Sequence, residues 1–209
     1  MEHLQPASAE FTSNIAPRPR STARAGESAF TDLCLQSLSN GRVLNIGAGY
    51  TARHPIRPHV VHIDLDPSVL EGCLLGAAGD AQCLPFRSGT FSGALMKDVL
   101  EHVPDPVEAL REVRRVCRPG AEVIVTVPRA IARAVWADPT HLRGFTARSL
   151  ERTMEMAGWT VVGRIDRMGS IPGAGHFPVL LRHAHQLLRV PGIGHRLGTN
   201  WLLTARRNA

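Results

Sequence analysis

The chain has 209 residues, 44% hydrophobic and 5% aromatic, enough for one domain that buries its own core without disulfides or metal. Lys+Arg exceed Asp+Glu by 24 − 18 = 6, and Lys97 is the only lysine, so arginine carries almost all the positive charge. No apolar run approaches the roughly 20 residues of a membrane span, and the N-terminal segment lacks the apolar stretch of a secretory leader, so a cytoplasmic protein is expected. The cysteines Cys34, Cys73, Cys83 and Cys117 form no CxxC pair and read as reduced thiols. The arginine bias suits recognition of phosphate or carboxylate, or reflects codon usage. A basic chain also raises nucleic acid as a partner.

Residues 1–26 are rich in Pro, Ser, Ala and Arg, and that composition predicts a mobile N-terminal arm ahead of a single domain over 27–209. Phe30, Leu33, Cys34 and Leu38 recur at helical spacing within Ser28–Leu38, and Asn40-Gly41 stops that helix. Arg42–Ile46 reads as a strand broken by Gly47-Ala48-Gly49, and His59–Ile63 as the next, followed by a short helix over Pro67–Leu75. Ala77–Gly79 is a weak strand and Ser92–Met96 a better one. Asp105 caps a helix opened by Pro106, with Ala109, Leu110, Val113, Val116 and Cys117 as its apolar stripe. Arg118-Pro119-Gly120 predicts a turn into a β-branched strand at Ala121–Val127. A helix from Thr146 to Ala157, a strand at Thr160–Ile165, an amphipathic segment over Phe177–Leu188 and a strand at Trp201–Thr204 complete the chain. This alternation predicts an α/β fold, a doubly wound, mostly parallel seven-stranded Rossmann-like sheet with helices on both faces. Residues 167–199 would be an insert between the last two strands, serving as a lid, a dimer contact or ordinary packing.

A strand ending in Gly47-Ala48-Gly49 lets backbone approach a ligand at the carboxyl edge of such a sheet. The next strand ends in His62-Ile63-Asp64, and an acid there can accept both ribose hydroxyls of an adenosine. Gly79-Asp80-Ala81, Leu84-Pro85-Phe86, Gly89-Thr90-Phe91, Val99-Leu100-Glu101-His102-Val103-Pro104 and Arg111–Val116 follow, then Arg118-Pro119-Gly120 and Val125–Pro128. Over residues 42–160 this ordered set resembles the class I S-adenosylmethionine-dependent methyltransferases, in the small-molecule branch of ubiquinone-biosynthesis-like enzymes.

The resemblance implies a cofactor, S-adenosyl-L-methionine, and roles position by position. Asn45, Gly47, Ala48 and Gly49 would line its methionine end. Asp64 would hold the ribose hydroxyls and Leu65 would pack near the adenine. Asp80 would accept from the adenine amino group, the Ala81 amide would donate to the ring, and the Lys97 carbonyl would face the methionine. Asn45 stands where the family usually has an acid, which would weaken the hold on the methionine ammonium. The short Tyr50–His59 connection, with Pro55 and Pro58, implies a shortened or lost first crossover helix.

Methyl transfer needs in-line placement and exclusion of water, and a hydroxyl acceptor gains from a general base. His141, in the long loop after the fifth strand, and His102, after the fourth, are the candidate bases. Arg129 and Arg143 in the same region would suit an anionic acceptor, while a solvated face is the plainer reading. No metal is expected, and His183-x-His185 does not share a helix face. Nucleic acid is disfavoured, because Lys97-Asp98-Val99-Leu100 is not the segment that grips a flipped base and the aromatics form no stacking platform. The expected activity is methyl transfer to an oxygen or nitrogen of a small metabolite, by a monomer or homodimer. The alternatives are a methyltransferase fold that binds cofactor without transfer, and an NAD(P)-dependent reductase.

Overall fold

The central strands are aliphatic because they are buried on both faces of the sheet. The computed structural model describes residues 22–38, 40–49, 57–130, 133–168 and 200–208. Strands β1 (Val43–Ile46), β2 (Val60–Asp64), β3 (Gly76–Ala78), β4 (Phe91–Lys97), β5 (Cys117–Pro128), β6 (Thr160–Met168) and β7 (Asn200–Arg206) form one sheet. Its order is β3-β2-β1-β4-β5-β7-β6. The first five strands run parallel, and β7 is antiparallel to both β5 and β6. The expected seven-stranded, mostly parallel α/β sheet is thus the one observed. The chain reverses direction across the sheet between β3 and β4, so the carboxyl ends of β1 and β4 flank the crevice where such sheets bind ligands.

Helix α1 (Thr22–Ser37) covers one face of the sheet. Its Cys34 and Leu35, with Leu38 just beyond its end, pack on Val43, Val60, Leu95, Ile124 and Leu202. The other face is larger. Leu44, Ile46, Ile63, Met96, Val123 and Val125 meet α2 (Pro106–Val116) and α4 (Ala147–Met156) through Leu110, Val113, Leu150 and Met154. The Asp105 carboxylate caps α2 by accepting from the Val107 and Glu108 amides, and Thr146 and Ser149 cap α4 reciprocally. The Trp159 indole donates to the Leu110 carbonyl at 2.9 Å, tying the chain after α4 to α2.

The Leu84-Pro85-Phe86 segment is fixed from α2. Glu112 accepts from the Leu84 amide at 2.9 Å and from Arg115 at 2.6 and 2.8 Å. Arg115 in turn donates to the Leu84 and Phe86 carbonyls at 2.9 and 2.8 Å. The Arg115 guanidinium holds the Glu112 carboxyl below the usual glutamate range.

Several expectations need correction. Residues 22–26, assigned to the arm, lie in α1, where Ala23, Ala25 and Glu27 favour helix without showing apolar periodicity. The short helix after β2 ends at Leu70, ahead of Gly72 in a left-handed conformation, φ 80°. Arg118-Pro119-Gly120 is no separate turn: β5 starts at Cys117, and a bulge between Phe91 and Gly93 absorbs the extra residues. A five-residue helix, α3 (Arg133–Ala137), sits in the loop after β5 and is too short for periodicity to reveal. Residues 1–21 of the arm, the connection over 50–56, the 177–188 segment and residues 169–199 of the insert lie outside the described residues. Among the described residues no helix is long and apolar enough to cross a membrane.

Candidate functional site

The β1–β3 side of the crevice is built largely from backbone. β1 runs straight into Gly47 at φ 62°, and a Cβ there would fall 2.4 Å from Val99 Cγ2. Only glycine lets the loop after β1 close against the segment after β4. Gly49, at φ 49°, faces open space, with nothing within 4 Å of a built Cβ. Its amide donates to Asp64 at 2.8 Å, and Asp64 also accepts from the Asp66 amide at 3.0 Å. A carboxylate has about four acceptor positions, so two remain for a diol.

Leu65 beside it is 76% exposed, and Asp80, at the next strand end, accepts from the Gln82 amide at 2.8 Å. Gln82 in turn accepts from the Asp105 amide at 2.8 Å, which couples this edge to the cap of α2. Open glycine backbone, two carboxylates on neighbouring strand ends and an exposed apolar side chain between them fit an adenosine group. Ala81 and Ala48 are buried, and the Ala48 amide donates to the Ile63 carbonyl at 3.2 Å.

Asn45 sits differently. It is 2% exposed, lies opposite His62 in the β1–β2 register, and its Nδ2 donates to His62 Nδ1 at 3.1 Å. Burial pushes the His62 imidazole below its usual value, so the pair is neutral. The Asn45 side chain is committed to a partner inside the sheet.

The opposite side of the crevice belongs to the ends of β4 and β5. Asp98 adopts φ 53°, an uncommon conformation for a residue with a side chain. Its carboxylate accepts from Lys97 Nζ at 2.9 Å, Thr126 Oγ1 at 3.0 Å and Asn200 Nδ2 at 2.9 Å. The Lys97 ammonium is therefore turned onto Asp98. Glu101, one short turn later, has no exposed surface. Neither of its oxygens has a side-chain or loop partner among the described residues; only its own amide approaches. Burial pushes this carboxyl up to about 8.

His102 and His141 meet here, with ring centroids 4.6 Å apart. His141 Nδ1 donates to the Val135 carbonyl of α3, leaving the lone pair of the neutral ring on Nε2. That nitrogen lies 3.9 Å from an Asp138 carboxylate oxygen. His102 Nδ1 lies 3.0 Å from Thr140 Oγ1, whose hydroxyl donates to Asp138 at 2.6 Å. Those two bonds assign the His102 proton to Nδ1 as well, and Thr140 holds the Asp138 carboxyl below its ordinary range. The Leu142 amide donates to the Glu101 carbonyl at 2.8 Å, stitching the two loops together.

Arg143 donates to the Val103 carbonyl and, at 2.9 Å, to the Pro104 carbonyl. Arg129 stacks over Trp201, 4.8 Å from the ring centroid. Arg143 thus ties its loop to the segment after β4, and Arg129 rests on a strand residue. The structure brings together His102 and His141 from different loops, and adds Glu101 and Asp98, to which the sequence reading gave no role. Their signal was charge placed within the otherwise apolar run through Val99 and Leu100 at a strand's carboxyl end.

Residues 44–125 match a family model described as a methyltransferase domain. A ubiquinone/menaquinone biosynthesis C-methyltransferase from Legionella pneumophila is 31% identical over 103 residues, covering 48% of this chain and 38% of that protein. The chain spans about a third of the length of the first curated relatives it matches. Among solved structures, the [4+2]-cyclase SpnF aligns with a TM-score of 0.65 at 22% identity, over 91% of this chain and 85% of that one. A SAM-dependent methyltransferase from Archaeoglobus fulgidus aligns with a TM-score of 0.63 at 14% identity, over 88% and 94%. At these identities the two structures speak for the fold alone.

Proposed function

We propose that the chain is a class I S-adenosylmethionine-dependent methyltransferase that methylates an oxygen or nitrogen of a small metabolite. One observation carries this reading. Two histidines with assigned acceptor nitrogens meet at the β4–β5 edge of the sheet, while the glycine loop and Asp64 at the ends of β1 and β2 fit an adenosine. When bound there, S-adenosylmethionine supplies an electrophilic methyl on sulfur. Asp64 would hold the ribose, Asp80 and the Ala81 amide the adenine edge, Leu65 its face, and the Gly47-Ala48-Gly49 backbone and Lys97 carbonyl the methionine. His141 Nε2, its ring fixed through Val135, would take the acceptor's proton, with the His102 ring meeting it edge-on. An acceptor bearing carboxylate or phosphate would approach Arg129 and Arg143. We place this activity in the cytoplasm, in a monomer or homodimer without nucleic acid.

The test separates binding from turnover. His141→Ala should lower methyl transfer on the order of 10²–10⁴-fold while S-adenosylhomocysteine affinity stays within two-fold of wild type. His102→Ala should show a smaller loss. Unchanged turnover in both variants would remove the base. Matched neutral and anionic acceptors decide the arginine role. The second reading, a methyltransferase fold that binds cofactor without transfer, gains from the cyclase that shares the fold and from the Asn45 departure. Methyl-donor turnover over a panel of acceptors separates it. Calorimetry with NADH disposes of a reductase.

A further inference from the structure

We propose that Glu101, His102 and His141 form a site for one divalent first-row transition-metal ion at the acceptor edge of the crevice. The inference rests on the same edge as the proposed function and departs from the expectation that no metal is needed. With an ion bound, the His141 Nε2 lone pair is a ligand and not a base, and the ion takes over by lowering the pKa of the acceptor hydroxyl. One ligand atom from each residue lies within 4.8 Å of the others. Donors on a single ion lie at about 2.0–2.2 Å from it, hence no more than about 4.3 Å apart. The three need close by only about half an ångström.

Two further observations point the same way. Glu101 is fully buried, and both carboxylate oxygens lack a hydrogen-bond partner other than their own amide among the described residues. A buried carboxylate without a partner is costly, and a cation is the partner that two neighbouring imidazoles cannot themselves provide while neutral. Each imidazole is also oriented from behind. Val135 O receives His141 Nδ1, and Thr140 Oγ1, itself bonded to Asp138, receives His102 Nδ1. That is how metal-ligating histidines are held, with the second nitrogen left as a donor to the ion. Two imidazoles and one carboxylate suit zinc, iron(II) or cobalt(II), and leave coordination positions open. An acceptor with a hydroxyl or vicinal oxygens is the substrate class that such an ion would polarise.

Cobalt(II) chloride, titrated into the metal-free full chain without S-adenosylmethionine, tests the site by its visible d–d absorption. One equivalent should bind. Glu101→Gln and His141→Ala should each weaken it by more than the roughly 10–100-fold that losing a supporting group causes. Thr140→Ala should fall within that range. The double variant of His183 and His185 to alanine should bind as wild type, and circular dichroism should show all variants folded; if Glu101→Gln fails to fold, His141→Ala carries the decision. No saturable uptake, or uptake lost with His183 and His185 but kept with Glu101→Gln and His141→Ala, overturns the site. Methyl transfer by metal-free protein, in the absence of cobalt uptake, would sink the metal and leave the proposed function standing.

Discussion

The two sides of the crevice treat polar groups in opposite ways. At the ends of β1, β2 and β3, each key side chain already has a partner: Asn45 has His62, Asp64 has two amides, and Asp80 has the Gln82 amide. At the end of β4, Asp98 is strained at φ 53° and the buried Glu101 carboxyl has no partner but its own amide. A side built from backbone and satisfied acids presents one fixed shape, which suits a ligand that never changes. Strain and unmet hydrogen-bonding capacity persist only where surrounding structure enforces them, and they collect where chemistry is done. The contrast supports the proposal that the invariant ligand sits on the β1–β3 side and the variable one on the β4–β5 side.

The largest test attacks the joint between them. Gly47→Ala would drive a Cβ to 2.4 Å from Val99 at a left-handed φ. Overpacking costs about 1–3 kcal/mol, and the strained backbone adds on the order of 1 kcal/mol. S-adenosylhomocysteine affinity by calorimetry should fall at least ~100-fold, a little under 3 kcal/mol. Affinity within two-fold of wild type would mean the glycine does not set the crevice. Asp64→Ala comes next, confined to the cofactor side. Losing charge-assisted bonds should weaken S-adenosylhomocysteine by about 2 kcal/mol, roughly 30-fold. A loss of cobalt binding in that variant would blur the two sides.

Much of the cofactor side was legible because it is written in local pattern. Glycines between a strand and its successor, acids at strand ends and the Asp105-Pro106 cap all act over a few residues, so their spacing survives in sequence. The Leu84–Phe86 motif could be seen, but its clamp could not: Glu112 and Arg115 reach it from a helix 28–31 residues away in sequence. The Asn45–His62 pair depends on strand register, and the early start of β5 on a bulge paired with β4. Glu101 shows the limit best. Its neighbour His102 drew attention by residue type, whereas the burial of an acid is visible only once α2, α3 and their loops are in place.

The clamp gives a stability prediction of intermediate size. Glu112→Gln removes the charged partner of Arg115 and the better acceptor for the Leu84 amide, and should cost about 2 kcal/mol. The Glu112 carboxyl lies below its unfolded value, so this stabilisation is complete above the unfolded value, near pH 4.3, and lost as pH falls through the folded one. Urea midpoints at pH 7 and pH 3 should show the variant's deficit shrinking in acid. A deficit equal at both values would show that the amide bond, not the ion pair, matters.

The smallest expected effect bears on Asn45, where side-chain direction decides which side of the contrast it serves. Asn45→Ala strands the buried His62 Nδ1 and should cost about 1 kcal/mol, or about 2–4 °C in Tm for a domain of this size. His62 is held below its unfolded value near 6.5, so it binds fewer protons folded than unfolded. Its contribution to stability is whole above pH 6.5 and declines as pH falls below it. Asn45→Asp should reverse that sign, since a carboxylate favours a charged imidazole and lifts the His62 value. Stability would then peak in mild acid, while S-adenosylhomocysteine affinity stays within two-fold. Were the aspartate instead to tighten that ligand ten-fold and leave the acid profile alone, the side chain at 45 would belong to the ligand rather than to the sheet.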